Sequence, residues 1–459
     1  MANIPEELRN STERILTYAD IDEKRTELFL AGLDIFRRTK NQYSLAAGER
    51  RMREATAAVF FEIYLAVFKR VLKEANPDKL YQLFLRYGFM DEKLLQPEQI
   101  TALYELLEQP STDQNIGVYD LPKWLEKIYR QEKDPSINQF GKDYFDVFRE
   151  LKKRGEITDK DKAAYDSDAD GRLGHEIENL FKLGQRLCFG RMSGYFPILY
   201  SEVITGDLAR SMVDPAKIQA SLGKILEVDY SAFHREIVYN NQDRGIVREL
   251  VMKPVMPEFI LIPTFGERAV MWQELTGRIT ASPARIALPL FTGENMDNLM
   301  IEAVARFRWE ISKSMSGYSR NSTEEGSLYA DYNDYLQFYK KNHELSEEAR
   351  RKIKTQMDRC RSNTANMFAA DYKTWINYES KGILRLNKVA RSIMFKHCPF
   401  AKPIRTQLQG QPLYNPLITR FDIAMEKQAK ALTARYTRLI KSGAPFDLNL
   451  MQNLQYYRA

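Results

Sequence analysis

The sequence predicts a mainly α-helical, multi-domain protein with a small α+β insert of three or four strands. Three observations carry this expectation. Apolar residues recur at helical spacing along most of the 459-residue chain. Residues 225–292 break the pattern with β-rich runs bounded by turn residues. At roughly 150 residues per domain, the length allows two to four domains. Hydrophobic residues at 44% and aromatics at 12% suffice for real cores, which excludes a globally disordered chain.

Residues 1–155 read as one helical domain. "AGERRMREATAAVFFEIYLAVFKRVLKEA" (47–75) is a long buried helix with charged ends, stopped by "NPDK". Helices follow at 78–87 and at 97–109, the latter with Pro97 in a favoured first-turn position. "PSTDQNIG" is a loop. "LPKWLEKIYRQ" and "FGKDYFDVFRELKKRG" are two further amphipathic helices, the second ended by Gly155.

Residues 156–315 form the central domain. It opens on a charged, small-residue stretch (156–172) that reads as a loop, followed by the helix "HEIENLFKLGQRLCF". "REIVYNNQDRGIVRELVM" is a hairpin with a longish loop, "PEFILIP" and "ARIALPLF" are strands, and "RAVMWQEL" between them is helix-like. Helices return at "NMDNLMIEAVARFRWEISKSM".

Residues 316–459 form a basic helical domain that begins at a flexible joint, "SGYSRNSTEEGS". Tyr332, Tyr335, Leu336 and Tyr339 share one helical face. Such a stripe predicts core, because tyrosine buries its ring while its hydroxyl finds a polar partner. Ser346 caps a helix with Glu347 and Glu348 in its first turn, which suits the helix dipole, and that helix reads on toward Gly382.

Compartment is read from cysteine usage. Cys188, Cys360 and Cys398 are sparse, odd in number and without a C-x-x-C, so they make neither a disulfide framework nor an all-cysteine zinc site. With a polar N-terminus lacking a secretory apolar stretch, and no apolar run near the ~20 residues of a bilayer span, a soluble cytoplasmic protein is expected.

Residues 165–179, "YDSDADGRLGHEIEN", overlap two metal motifs. Aligned as a calcium loop, Asp166, Asp168 and Asp170 occupy ligand positions 1, 3 and 5, and Gly171 the turn. Position 12 is Ile177 where the bidentate glutamate belongs, so two oxygens and the clamp on the following helix are lost. Read as H-E-x-x-H, His175 meets Asn179 where zinc needs a second histidine. No P-loop and no dinucleotide fingerprint occurs. "FGRMSGY" around Ser193 lacks the glycines of a nucleophile elbow, "SLGK" has no K-T-G partner, and His397 and Cys398 are merely adjacent.

Charge is distributed unevenly. Residues 301–459 hold 27 Lys and Arg against 15 Asp and Glu, whereas the first 300 hold 41 against 47. Between 381 and 441 there are 13 cations and two acids, Asp422 and Glu426. On a wheel at about 100° per residue, Arg420, Lys427, Lys430, Arg438 and Lys441 fall on one face of 420–441, opposite Phe421, Met425, Leu432, Tyr436 and Leu439. In "RLNKVARSIMFKH", Arg385, Lys388, Arg391 and Lys396 face away from Leu386, Val389, Ala390 and Ile393. Ordinary solvated faces mix both signs.

These patterns predict a non-catalytic interaction or regulatory protein, without a cofactor, that presents a basic helical surface to a polyanion. RNA or DNA comes ahead of an acidic protein partner. The phosphate-contacting residues expected are Lys381, Arg385, Lys388, Arg391, Lys427, Lys430, Arg438 and Lys441. The plain alternative is that the cations are simply wet or dock onto the protein's own acids. The competing enzyme class is a hydrolase, metal-assisted or not, built near residues 165–200 and the central strands from Asp166, Asp168, Asp170, His175 or His234.

Overall fold

The computed structural model describes residues 5–38, 47–138, 140–187, 198–201, 204, 206–241, 246–272, 284–313, 326–443 and 446–459. The protein is mainly α-helical with a small strand content, and it divides into two compact units. The first comprises residues 1–218, 258–273 and 285–299; the second comprises 219–257, 274–284 and 300–459.

In the first unit, α1 (Ser11–Ala19), α2 (Glu23–Arg38), α3 (Ala47–Val71), α4 (Lys79–Tyr87) and α5 (Pro97–Leu106) precede a short strand, β1 (Val118–Asp120). Helices α6 (Leu121–Tyr129), α7 (Tyr144–Lys153), α8 (Lys162–Ser167), α9 (Ala169–Leu187) and α10 (Leu208–Ser211) follow. Local signals set the ends. Asp78 caps α4 at Leu80 N, Asp120 caps α6 at Lys123 N, and Asp143 with Asp146 closes a capping box on α7. Gly155, at φ +75°, turns the chain after α7 in the left-handed region that glycine alone enters without strain. Phe181 of α9 packs edge-on against Phe60 and Tyr64 of α3, centroids 5.7 and 5.3 Å apart.

The sheet of this unit runs β1-β4-β6-β5, with β4 at Glu258–Phe265, β5 at Val270–Met271 and β6 at Arg285–Phe291. β1, β4 and β6 are parallel and β5 is antiparallel to β6. Every residue of β4 and β6 is buried, which explains the continuous apolar runs: a parallel strand covered on both faces shows no alternation. Pro263 falls where the β4–β6 register shifts, between Ile262 and Phe265.

Three local expectations are revised here. Val118–Asp120 is a strand because it pairs with β4 (Tyr119↔Ile260), a non-local partnership three residues cannot announce. Val270–Met271 of "RAVMWQEL" is strand, paired with Ala287 and Ile286; residues 273–275 lie outside the described residues. The stretch 156–172 is largely helical, since Thr158 and Asp161 form a capping box on a 3₁₀ turn that leads into α8.

In the second unit, β2 (His234–Asn241) and β3 (Ile246–Pro254) form a separate antiparallel hairpin. The strands between 225 and 292 thus belong to two different sheets. Most of α11 (Pro215–Val228) and α12 (Met296–Lys313) belongs to this unit. So do α13 (Leu328–Phe338), α14 (Glu347–Arg359), α15 (Thr364–Asn377), α16 (Lys388–His397), α17 (Lys402–Leu408), α18 (Asn415–Lys441) and α19 (Leu448–Arg458). The helix from Ser346 stops at Arg359, because Arg361 and Ser362 adopt positive φ before Asn363 caps α15. The tyrosine stripe of α13 is core: Tyr332 is fully buried and its hydroxyl donates to Asp371 at 2.7 Å. Trp375 stacks on Phe400 at 4.0 Å and donates Nε1–H to the Cys398 carbonyl. The hairpin is held by a second cluster, in which Tyr239 and Val251 pack with Leu432 and Tyr436 of α18 and Leu450 of α19.

No helix among the described residues is long and apolar enough to cross a membrane.

Candidate polyanion interface

Asp166, Asp168 and Asp170 do not converge, and this corrects the metal expectation. A calcium loop must wrap around its ion, but here the chain is helical from Ala169 onward, with a break only at Asp168. Asp168 caps α9 through Gly171 N at 3.0 Å, and Asp170 pairs with Lys69 at 2.7 Å. Asp166 has a buried Oδ1 without a hydrogen-bond partner among the described residues. No group of three or more His, Cys, Asp or Glu among the described residues is placed to hold a metal ion.

"HEIEN" is a clamp on a loop. Helical spacing does put His175 and Asn179 on one face, and both reach the Ser136 carbonyl, at 3.1 and 3.3 Å. Between them Glu176, fully buried, accepts from Ser136 N, Ser136 Oγ and Trp124 Nε1 at 2.6–2.9 Å. An amide donor at 179 satisfies a carbonyl, which is why asparagine serves there. Arg285 of β6 completes the knot: it donates to Ser136 Oγ at 2.7 Å, pairs with Glu258 and lies over the Trp124 ring. Asp168, Asp170 and His175 of the hydrolase expectation are therefore engaged in the first unit, where Asp166 also lies, while His234 belongs to the second. Cys188, Ser193 and the rest of 188–197 lie outside the described residues.

The basic residues separate into two groups. In and around α16 most meet an acid or a ring. Arg391 is 5% exposed and pairs with the buried Glu379 at 2.7 Å, so it is no surface contact; this corrects its assignment to the phosphate-binding set. Glu379 also accepts from the amides of Arg385 and Leu386 and from the Tyr414 hydroxyl. With five donors on one carboxylate, its pKa stays below the usual glutamate value despite burial. Lys388 pairs with Glu344 at 3.1 Å and Lys396 with Asp331 at 2.6 Å. The Arg385 guanidinium lies 5.3 Å from the centre of the Tyr378 ring. Lys381 is exposed.

On α18 the outcome is different. Only Ile418, Leu432 and Tyr436 of its 27 residues are buried, all on one side, and they anchor it to the core. Arg420, Lys427, Arg438 and Lys441 stand exposed on the opposite side and make no ion pair among the described residues. Lys430 is exposed and pairs with Glu426, one turn before it. Asp422, the other acid of this stretch, is taken by Arg405 of α17 at 2.8 Å. The ridge thus runs about 32 Å at 1.5 Å per residue, with one helical acid beside it. Arg420, which the wheel placed on this face, joins the candidate set. Ile423 interrupts the ridge at 61% exposure.

A family model described as a domain of unknown function (DUF8509) matches residues 317–456, a stretch that contains α13 to α18, most of α19 and the whole ridge. No characterised protein and no solved structure matches the chain.

Proposed function

We infer that this is a non-catalytic, cytoplasmic interaction protein whose α18 ridge binds the phosphate backbone of a nucleic acid. The observation that carries the reading is the row of exposed cations Arg420, Lys427, Arg438 and Lys441, without ion-pair partners among the described residues. Cations left in water on one line cost nothing to desolvate from acids, and each releases a condensed counterion when it meets a phosphate. Lys381, Arg385 and Lys430 extend the positive surface.

Fluorescence anisotropy with a labelled 20-nucleotide single strand and a 20-base-pair duplex tests the reading. With four or five phosphates neutralised, affinity falls about a hundredfold between 50 and 200 mM salt. Lys427→Glu with Arg438→Glu abolishes most of that dependence, while the fold, followed by circular dichroism, is kept. Binding that ignores salt, or ignores these two reversals, rejects the reading. Ile423, an exposed apolar residue between cations, favours an acidic protein partner as the second reading. In that case Ile423→Ser weakens capture of a Glu-rich peptide, and nucleic acid does not bind.

A further inference from the structure

A cavity of about 190 Å³ lies inside the second unit, away from the outward face of α18, bounded by the start of β2, the end of α12, the start of α13 and the end of α16. Its lining includes His234, Arg235, Arg308, Ser327, Leu328 and His397. The sequence separates these residues by up to 163 positions, so no motif marks them.

Unused donors define its chemistry. Arg308 is 9% exposed; its Nη1 pairs with Asp229 at 3.2 Å and its Nη2 donates to the His397 carbonyl. Its Nε is buried and has no hydrogen-bond partner among the described residues, and neither has Nδ1 of His234 on the same lining. Native interiors rarely leave such atoms unpaired; Arg308 Nε–H is a donor in every state and His234 Nδ1 becomes one when the ring is protonated, so the two together point to a missing acceptor. The start of α13 adds to them. Ser327 caps that 11-residue helix by accepting from Ala330 N at 3.0 Å, so its own hydroxyl proton remains to be given. The first-turn amides of Leu328 and Tyr329 lack intrahelical partners and carry the positive end of the dipole.

Fixed charges around the cavity nearly cancel. Arg308 is balanced by Asp229, Lys396 by Asp331, to which His397 also hydrogen-bonds, and Arg235 is accompanied on the lining by Glu236. The two histidines are therefore the groups able to answer an incoming negative charge. Burial, with help from Arg308, holds His234 below its ordinary pKa against the opposing pull of Asp229 and the Tyr230 backbone. Burial, with Lys396 and Arg308, does the same to His397 against Asp331. Each is thereby biased toward its neutral form, and an anion beside them draws protons onto them.

We propose that this cavity is a binding site for a compact tetrahedral oxyanion, a phosphate group, held by Ser327, the α13 amides, Arg308 and His234. The site is independent of the α18 ridge, and its failure would leave that reading intact.

The experiment uses the full chain with ¹⁵N-labelled histidines, titrated with inorganic phosphate at constant ionic strength. The chain has four histidines, so His234→Gln and His397→Gln assign the signals. The signals of His234 and His397 should shift saturably, with titration midpoints rising by about one unit, while His175 and His343 stay put. Sulfate should compete. Ser327→Ala and His234→Gln, checked for folding by thermal unfolding, should each weaken binding roughly tenfold. Both avoid the buried Arg308–Asp229 pair, whose loss would endanger the fold. No saturable shift by about 10 mM phosphate overturns the proposal. So does an equal shift of all four histidines, or unchanged affinity in both variants, either of which means an adventitious ion only.

Discussion

α16 and α18 begin from the same pattern: a short apolar stripe on one side and cations of one sign on the other. In α16 and its approach the cations are largely used up inside the unit, by Glu379 for Arg391, Glu344 for Lys388 and Asp331 for Lys396. In α18 the two nearby acids are spent on Arg405 and Lys430, and four cations remain. The lesson is that a single-sign face is a supply of charge, and distant acids decide how much of it is left over. The three acids that neutralise α16 lie 12 to 65 residues away along the chain, beyond the reach of any helical wheel.

The largest expected effect breaks the buried half of this comparison. Glu379→Ala leaves Arg391 charged and unpaired in the interior, which costs about 3–5 kcal/mol in urea unfolding. If the loss stays under about 1 kcal/mol, Arg391 is wet and α16 resembles α18 after all.

Next comes the exposed half. Lys427→Glu with Arg438→Glu leaves stability within about 0.5 kcal/mol, because no partner is lost, but lowers polyanion affinity by more than tenfold. A stability change larger than that would show that these side chains have internal roles.

Lys388→Ala sharpens the contrast at the surface. Its pair with Glu344 is solvent-exposed on both sides, so the stability change should lie below about 1 kcal/mol, and polyanion affinity should change by less than about threefold. A loss in affinity matching that of the α18 variant would mean that Lys388 belongs to the binding surface despite its acid.

The smallest effect is a pH signature at Asp331. The hydrogen bond from His397, aided by Lys396, holds this carboxyl down at about 2. A depressed carboxyl pKa contributes stability that is present above the ordinary value near 3.8 and lost as pH falls toward 2. The stability gap between wild type and Asp331→Asn should therefore be full above about pH 4 and close toward pH 2. A gap independent of pH in that window would assign the difference to packing alone.

Much of the fold was legible because the signals are local. Pro97 in the first turn of α5, the stop at Gly155 and the Ser346 cap of α14 follow from end chemistry within four residues. The tyrosine stripe of α13 reads as core from its spacing. What was missed depends on partners far along the chain. β1 is a strand only beside β4, and Val270–Met271 is strand only beside β6. The candidate ridge was legible on α18, where the wheel separates Leu432 and Tyr436 from the cations, and misleading at Arg391. The cavity of His234, Arg308, Ser327 and His397 left no trace in the sequence, because four separate elements supply it.

By itself, the sequence determined the mainly helical class, the apolar and cationic faces of α18 and the inability of "HEIEN" to hold zinc. These depend on residue identity and on a fixed helical rise, which neighbours in the chain enforce. Tertiary structure alone decided that Glu176 and Asn179 grip Ser136, that Arg391 is buried and that Lys427 stands exposed. The physical reason is that burial and ion pairing are settled by which side chains meet across a folded core, where a charge is retained only beside a partner.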